Sequence, residues 1–322
     1  MKSYKIKEQL LNHLRTERNL TLEENLLPIF DTYRYGQVID PYKEILASSI
    51  GRNKMHIYDK DITLGSFVNM MYIDELISVK LVAYISHYEK ILKKYICDKV
   101  CKSFVLKGDS NCCNYSFFEE MKNDCNESSL DCFLPLNKEF NKDGEEVLRN
   151  SNTFESRIRV IEKIIDFANG ENSSELNYYV CDYYQCNHTI PFYILIGSLS
   201  FTNLTVLFEM MTKELQNDFI KKVHMKTVIE PVDICSASGK NSVIRKIRNI
   251  IHHHEPLIPY LCKNEYNGFE TKKDAIRLLK KIYDNCEFSN KLEVKSSPDF
   301  GMVGKLKSKS SQKLAAFINL IK

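Results

Sequence analysis

Chain-breaking residues are scarce in this sequence: 322 residues contain eleven glycines and eight prolines. Alternating apolar and polar runs closed by Asn-Gly or Asp-Gly turns are equally few, which argues against a strand-rich fold and favours helices. Zinc-ribbon spacing is absent too. The eleven cysteines form no CxxC pair, their number is odd, and the tightest groups are Cys97/Cys101, Cys112/Cys113 and Cys181/Cys186. A zinc ribbon and a complete disulfide framework both fit poorly. The opening "MKSYKIKEQLLNHLRTERN" is charged throughout and lacks the form of a secretory signal. The expectation is a cytoplasmic protein with reduced thiols, most of them buried as small hydrophobes.

One stretch approaches the length of a bilayer span. "IPFYILIGSLSFTNLTVLFEMM", Ile190 to Met211, carries Glu209 as its single charge. Ser198, Ser200, Thr202, Asn203 and Thr205 dilute it, and no lysine cluster flanks it, so a buried helix pair is expected and no membrane association. Charge of one sign is lacking as well. A formal net charge of +3 is too small to announce a nucleic-acid binder. The distribution is uneven, however. Glu119 to Glu146 holds nine acidic residues against three lysines, and Lys291 to Lys322 holds seven lysines against Glu293 and Asp299. A basic tail can follow a phosphate backbone through Lys305, Lys307, Lys309 and Lys313, or it can be a solvated tail.

What is present is ordinary globular composition, 43% hydrophobic and 27% charged, in a chain long enough for one large or two ordinary domains. A short amphipathic helix is expected from Tyr4 to Arg18, and Thr21 to Glu24 has the form of a capping box ahead of Leu26, Leu27, Ile29 and Phe30. The longest helical signal is Leu64 to Val105, with Phe67, Met70, Ile73, Ile77, Leu81, Ile85, Tyr88, Leu92, Ile96 and Val100 at spacings of mostly three and four. Gly108 to Asn152 lacks sustained periodicity and reads as a variable insertion or loop. Helices follow at "TFESRIRVIEKIIDFANG", ended by Gly170, at "FYILIGSLSFTNLTVLFEMMTKELQNDFIKKVHM", from Ser242, and at "TKKDAIRLLKKIYDNCE". The expected organisation is all-α: an N-terminal helical segment over residues 1–60, a helical domain over 61–290 with an insertion at about 107–152, and a basic tail over 291–322.

The chemistry concentrates in "IRKIRNIIHHHEPLIPY", Ile244 to Tyr260. Arginine is a fixed cationic fork suited to phosphate, and histidine moves a proton near neutral pH. Arg245, Arg248, Asn249, His252, His253 and His254 together suit metal-free RNA cleavage. A histidine takes the 2'-hydroxyl proton, an acid protonates the leaving 5'-oxygen, and arginine holds the phosphorane charge. On a helix Arg245, Asn249 and His253 share a face, and Arg248 and His252 share a neighbouring one. Arg248 and His253 are displaced by about 140° in an ideal helix, so two copies facing across a two-fold axis would complete one cleft. A metal site fits less well, because adjacent histidines rarely reach one ion and no carboxylate or cysteine stands at zincin spacing. The third reading is structural: His253 and His254 suit the negative end of a helix dipole before Pro256.

Arg248-Asn249-x-x-x-His253-His254 resembles the HEPN ribonuclease motif, and in particular the "RNxxAHH" form found in Abi-like proteins, the AbiD/AbiF group of bacterial abortive-infection systems. Two further stretches match in order. Asp74 and Glu89 occupy the acidic places of the family's aspartate helix, and Pro191, Tyr193, Ser200 and Phe201 those of its Pro-aromatic segment. "TYRYGQVIDPYKE" is similar to its N-terminal tyrosine block, so the resemblance covers most of residues 5–260. The departures are His252 for an alanine, Ser78 for an arginine, Tyr193 for a tryptophan and Thr202 for a glycine.

The resemblance implies a HEPN-like helical bundle, a homodimer, and an antiphage endoribonuclease that needs no metal or cofactor. Its catalytic residues would be Arg248, Asn249 and His253. Some relatives are paired with a structured noncoding RNA, which gives Arg245, His252, His254 and the tail lysines an RNA partner. The alternative is a non-catalytic protein that holds a small RNA in the same basic cleft.

Overall fold

The structure, a computed structural model, describes residues 7–50, 56–140, 145–148, 151–224, 240–263, 268–284 and 309–321. Helices dominate, as the shortage of breakers requires, and the described strands form two antiparallel pairs. One joins β1 (Ser49–Ile50) to β2 (His56–Ile57), and the other joins β3 (Lys138–Phe140) to β4 (Glu146–Leu148). The fold is all-α. Packing groups the chain into two compact units. The first takes Met1–Tyr84, Lys246–Lys280 and Asp284–Lys322; the second takes Ile85–Arg245 and Lys281–Tyr283.

In the first unit the amphipathic N-terminus forms α1 (Lys7–Thr16). The capping box expected at Thr21 does not form. Pro28 cuts the run, and only short helices follow: α2 (Ile29–Thr32), α3 (Tyr35–Val38) and α4 (Lys43–Leu46). The acid that caps is Glu23, and it serves a different helix. Its carboxylate accepts from the Gly65 backbone N–H at 3.2 Å, at the start of α5 (Leu64–Leu106). That helix follows its predicted span almost to the residue, and every apolar position named from the periodicity is buried.

The basic stretch at the C-terminus proves to be in part a packed helix, α15 (Lys309–Ile321). Leu314, Phe317, Ile318 and Ile321 are buried, at the three- and four-residue spacing of an apolar stripe. Lys80 Nζ donates to the Ile321 carbonyl at 3.2 Å. Lys309 is exposed, whereas Lys313 Nζ donates to the Cys262 carbonyl at 3.3 Å. Lys305 and Lys307 lie outside the described residues.

In the second unit the stretch 108–152, expected as a variable insertion or loop, contains regular structure. It holds α6 (Ser116–Asn123) and the β3–β4 pair, with Phe118, Met121, Leu130, Cys132, Phe133, Leu134 and Leu136 all buried. Their spacing is irregular because most come from extended chain folded onto helices, so no single period marks them. Behind them lie α7 (Ser151–Ala168), α8 (Tyr178–Asn187), α9 (Phe192–Leu195), α10 (Phe201–Met210) and α11 (Lys213–His224). Arg157 of α7 is 1% exposed, and its guanidinium donates to the carbonyls of Lys138 at 2.6 Å and Glu209 at 3.3 Å. It ties the start of β3 to the end of α10.

The bilayer-length stretch is two short helices and a 3-10 turn, broken where the Ser200 side chain accepts from Asn203 N–H and caps α10. Tyr88 of α5 meets Phe201 edge-on at 6.1 Å. No helix among the described residues is long and apolar enough to cross a membrane. Of the nine cysteines described, Cys112, Cys132 and Cys262 are buried and the others are partly or fully exposed, so burial accounts for fewer thiols than expected. All nine are free thiols.

Candidate functional site at a histidine-bearing helix end

Three further helices follow: α12 (Lys240–His252), which belongs to the first unit from Lys246 onward, α13 (Leu257–Cys262), which lies within it, and α14 (Gly268–Asp284), which belongs to it up to Lys280. Val243, Ile244 and Ile247 of α12 are buried. Their burial turns Arg245, Asn249, His252 and His253 toward the opposite side, where Asn249, His252 and His253 are exposed.

The helix closes in a Schellman motif. The Glu255 N–H donates to the Ile250 carbonyl at 3.0 Å and the His254 N–H to the Ile251 carbonyl at 3.1 Å. His254 therefore occupies the left-handed position, with φ +54°, where glycine is usual.

The turn beyond the histidines is anchored from both sides. Pro256 ends it, and the next two backbone N–H groups, Leu257 and Ile258, donate to Asp74 of α5 at 3.0 and 3.2 Å. The Tyr42 hydroxyl donates to the other carboxylate oxygen at 3.0 Å. Burial pushes the Asp74 carboxyl up to about 6, and those three donors pull against the shift. At the far end of α13, Lys272 Nζ donates to the carbonyls of Tyr260 at 2.6 Å and Lys263 at 3.2 Å, beside the Lys313 bond to Cys262. An anion at the first turn and cations at the last match the polarity of helix α13. Asp74, recognised in the sequence by its place alone, is the group that positions the histidine turn.

A cavity of about 670 Å³ opens beside this turn. Its lining joins Tyr33 and Gln37 from the tyrosine block, Glu75, Ser78 and Val79 from α5, and His252, His254 and Glu255. Four groups singled out in the sequence thus meet there: the tyrosine block, the aspartate helix, Ser78 and two of the three histidines. Arg245, Arg248, Asn249 and His253 do not line it. Arg248 is half-buried; its Nη1 donates to Asn249 Oδ1 at 3.4 Å, and its Nε is enclosed with no partner among the described residues. His253 is exposed, and no side-chain bond joins it to Arg248 or Asn249. Glu75 and Glu255 went unnoticed in the sequence reading of the site. The signal for Glu255 was its position directly after the histidines. Among the described residues no three His, Cys, Asp or Glu side chains converge as a metal ion would require.

These observations define a class: an all-α protein that carries its chemistry-bearing residues on one polar helix and at its anchored end. A family model described as Abi-like protein matches residues 25–259, and the chain belongs to that family. Membership places it with the proteins of abortive infection, in phage defence. No curated protein and no solved structure matches the chain.

Proposed function

We propose that this Abi-like protein is a metal-independent HEPN endoribonuclease of phage defence, acting as a homodimer. The observation that carries the reading is the presentation of Asn249 and His253 on the exposed side of α12, next to Arg248, whose Nε lacks a partner. A buried guanidinium nitrogen left unpaired is costly, and a phosphate oxygen would satisfy it.

In this reading His253 takes the proton of an RNA 2'-hydroxyl, and the oxygen attacks the adjacent phosphorus. The P–O bond to the 5'-oxygen breaks, an acid protonates that leaving group, and a 2',3'-cyclic phosphate remains. Arg248 holds the phosphorane charge and Asn249 orients the imidazole. One chain does not bring Arg248 and His253 together by a side-chain bond, so the second copy supplies the complementary half of the cleft. A structured noncoding RNA bound along α12 and Lys309 would regulate access to it.

The test is cleavage of RNA by purified protein in chelator, with end-group analysis. Cyclic phosphate ends that vanish in His253→Ala support the reading, and cleavage that stops with chelator overturns it. The alternative, an RNA-holding protein without catalysis, is favoured by one observation: the His253 ring has no orienting hydrogen bond among the described residues. Tight RNA binding by a dimer that never cleaves would select that alternative.

A further inference from the structure

The cavity beside α12 has a lining that the cleavage chemistry leaves unused. Among the described residues that line it there is no lysine or arginine, while Glu75 and Glu255 both line it. Asp74 lines it too, but its oxygens already accept from the Tyr42 hydroxyl and the Leu257 and Ile258 N–H groups. The two exposed carboxylates repel a phosphodiester and attract N–H donors. The wall also offers flat and apolar surface from Tyr33 and Val79. At about 670 Å³ it falls within the usual size of a small-molecule site. Planar, aromatic and rich in N–H donors describes a nucleobase taken out of its stack. Among the four RNA bases, guanine alone offers two adjacent N–H donors, N1–H and N2–H, that one carboxylate accepts together. Adenine and cytosine offer one exocyclic amine on that edge, and uracil one imide N–H.

The backbone adds an independent observation. His254 lines the cavity from a left-handed conformation, φ +54°, that glycine would adopt without strain. The imidazole thus stands in the cavity wall where a glycine would leave it open. Arg248, Asn249 and His253 stay outside the lining, within about one helical turn of His252, which is part of it. Phosphate chemistry and base recognition would therefore lie side by side on one helix end.

We propose that this cavity seats one unstacked guanine of the RNA substrate, its Watson–Crick edge read by the carboxylate of Glu255 or Glu75 and its face laid against Tyr33. The assignment rests on the RNA-cleaving reading for its substrate, yet it is testable without cleavage.

The full-length protein is titrated with guanosine, adenosine, cytidine, uridine and spermidine, by calorimetry or ligand-observed NMR. Guanosine should bind saturably and at least tenfold more tightly than the other nucleosides. Glu255→Gln or Glu75→Gln should weaken it tenfold or more, and Val79→Tyr should block it by filling the space. His253→Ala should bind guanosine as the parent does. Because Glu75 and Glu255 are exposed, their Gln variants should fold, and circular dichroism checks this. Equal binding of all four nucleosides, no nucleoside binding, or displacement of guanosine by spermidine overturns the guanine pocket.

The two readings fail separately. Selective guanosine binding without any RNA cleavage keeps the pocket and removes the nuclease. Cleavage without base preference by a protein that binds no nucleoside keeps the nuclease and removes the pocket.

Discussion

Helices α7 and α12 end in the same hydrogen-bond pattern and spend the critical position differently. At the end of α7 the Glu171 N–H donates to Asp166 at 2.8 Å, the Gly170 N–H to Phe167 at 3.1 Å, and Gly170 holds φ +75°. A Cβ on Gly170 would stand 2.3 Å from the Tyr184 ring, so both conformation and space demand glycine. At the end of α12 the equivalent position is His254. One end is optimised for closing a helix; the other accepts a strained backbone to display a polar side chain. Strain placed beside exposed histidines and a cavity marks the second end as the place to look for function.

The largest expected effect separates the two ends by activity. His253→Ala should lower RNA cleavage by about 10²–10⁴-fold, the range lost with a general acid–base group, while changes around Gly170 should leave the activity of folded protein intact. His252→Ala sharpens the register. The resemblance leaves that place to an alanine, so activity should survive; loss of activity in His252→Ala with a fully active His253→Ala would move proton transfer to the histidine that lines the cavity. Single-turnover cleavage of a labelled RNA reads all three variants.

Next in size is the anchor of the histidine end. Asp74→Ala leaves the Leu257 and Ile258 N–H groups and the Tyr42 hydroxyl without their acceptor and should cost about 3 kcal/mol in denaturant unfolding. Asp74→Asn should cost far less, since its carbonyl oxygen accepts both N–H groups and its amide donates to Tyr42. A protein as unstable in Asn as in Ala would mean that the charge, and not the hydrogen bonds, holds the turn.

The same carboxyl makes a pH prediction. Its folded value, about 6, lies above the unfolded value near 3.9, so its contribution is fully present below about pH 3.9 and is lost as pH rises through about 6. Between pH 7 and pH 5 the parent should gain roughly 1 kcal/mol relative to Asp74→Asn. Parallel stability profiles for the two proteins would show that Asp74 does not titrate in that window.

The smallest effects exchange the two helix ends. Gly170→Ala should destabilise by about 2 kcal/mol through a strained φ and the Tyr184 ring. His254→Gly should stabilise by up to about 1 kcal/mol, because the relief of strain outweighs the added freedom of the unfolded chain. A loss of stability in His254→Gly would give the imidazole a structural role in place of a displayed one.

Helix content, the span of α5, the glycine stop at Gly170 and the polar identity of α12 were legible in the sequence, because each follows from residues three or four apart or from a local backbone preference. The arrangement of apolar residues in α5 had one solution at helical period. Residues 108–152 had no such period, and their burial in the second unit comes from contacts far along the chain, as in the bonds of Arg157 to carbonyls on either side of α7. The family was readable from spaced motifs, whereas the work of those motifs was not. Asp74 and Leu257 are 183 positions apart, and nothing near either one indicates that a carboxylate on α5 caps the helix after the histidines. Local sequence determined which helices form and which faces are polar, since propensity and periodicity act over a few residues. Only the tertiary structure decided that His252 and His254 share a cavity with the tyrosine block while His253 stays outside it, because a helix carries neighbouring side chains about 100° apart and long-range packing selects which of them it encloses.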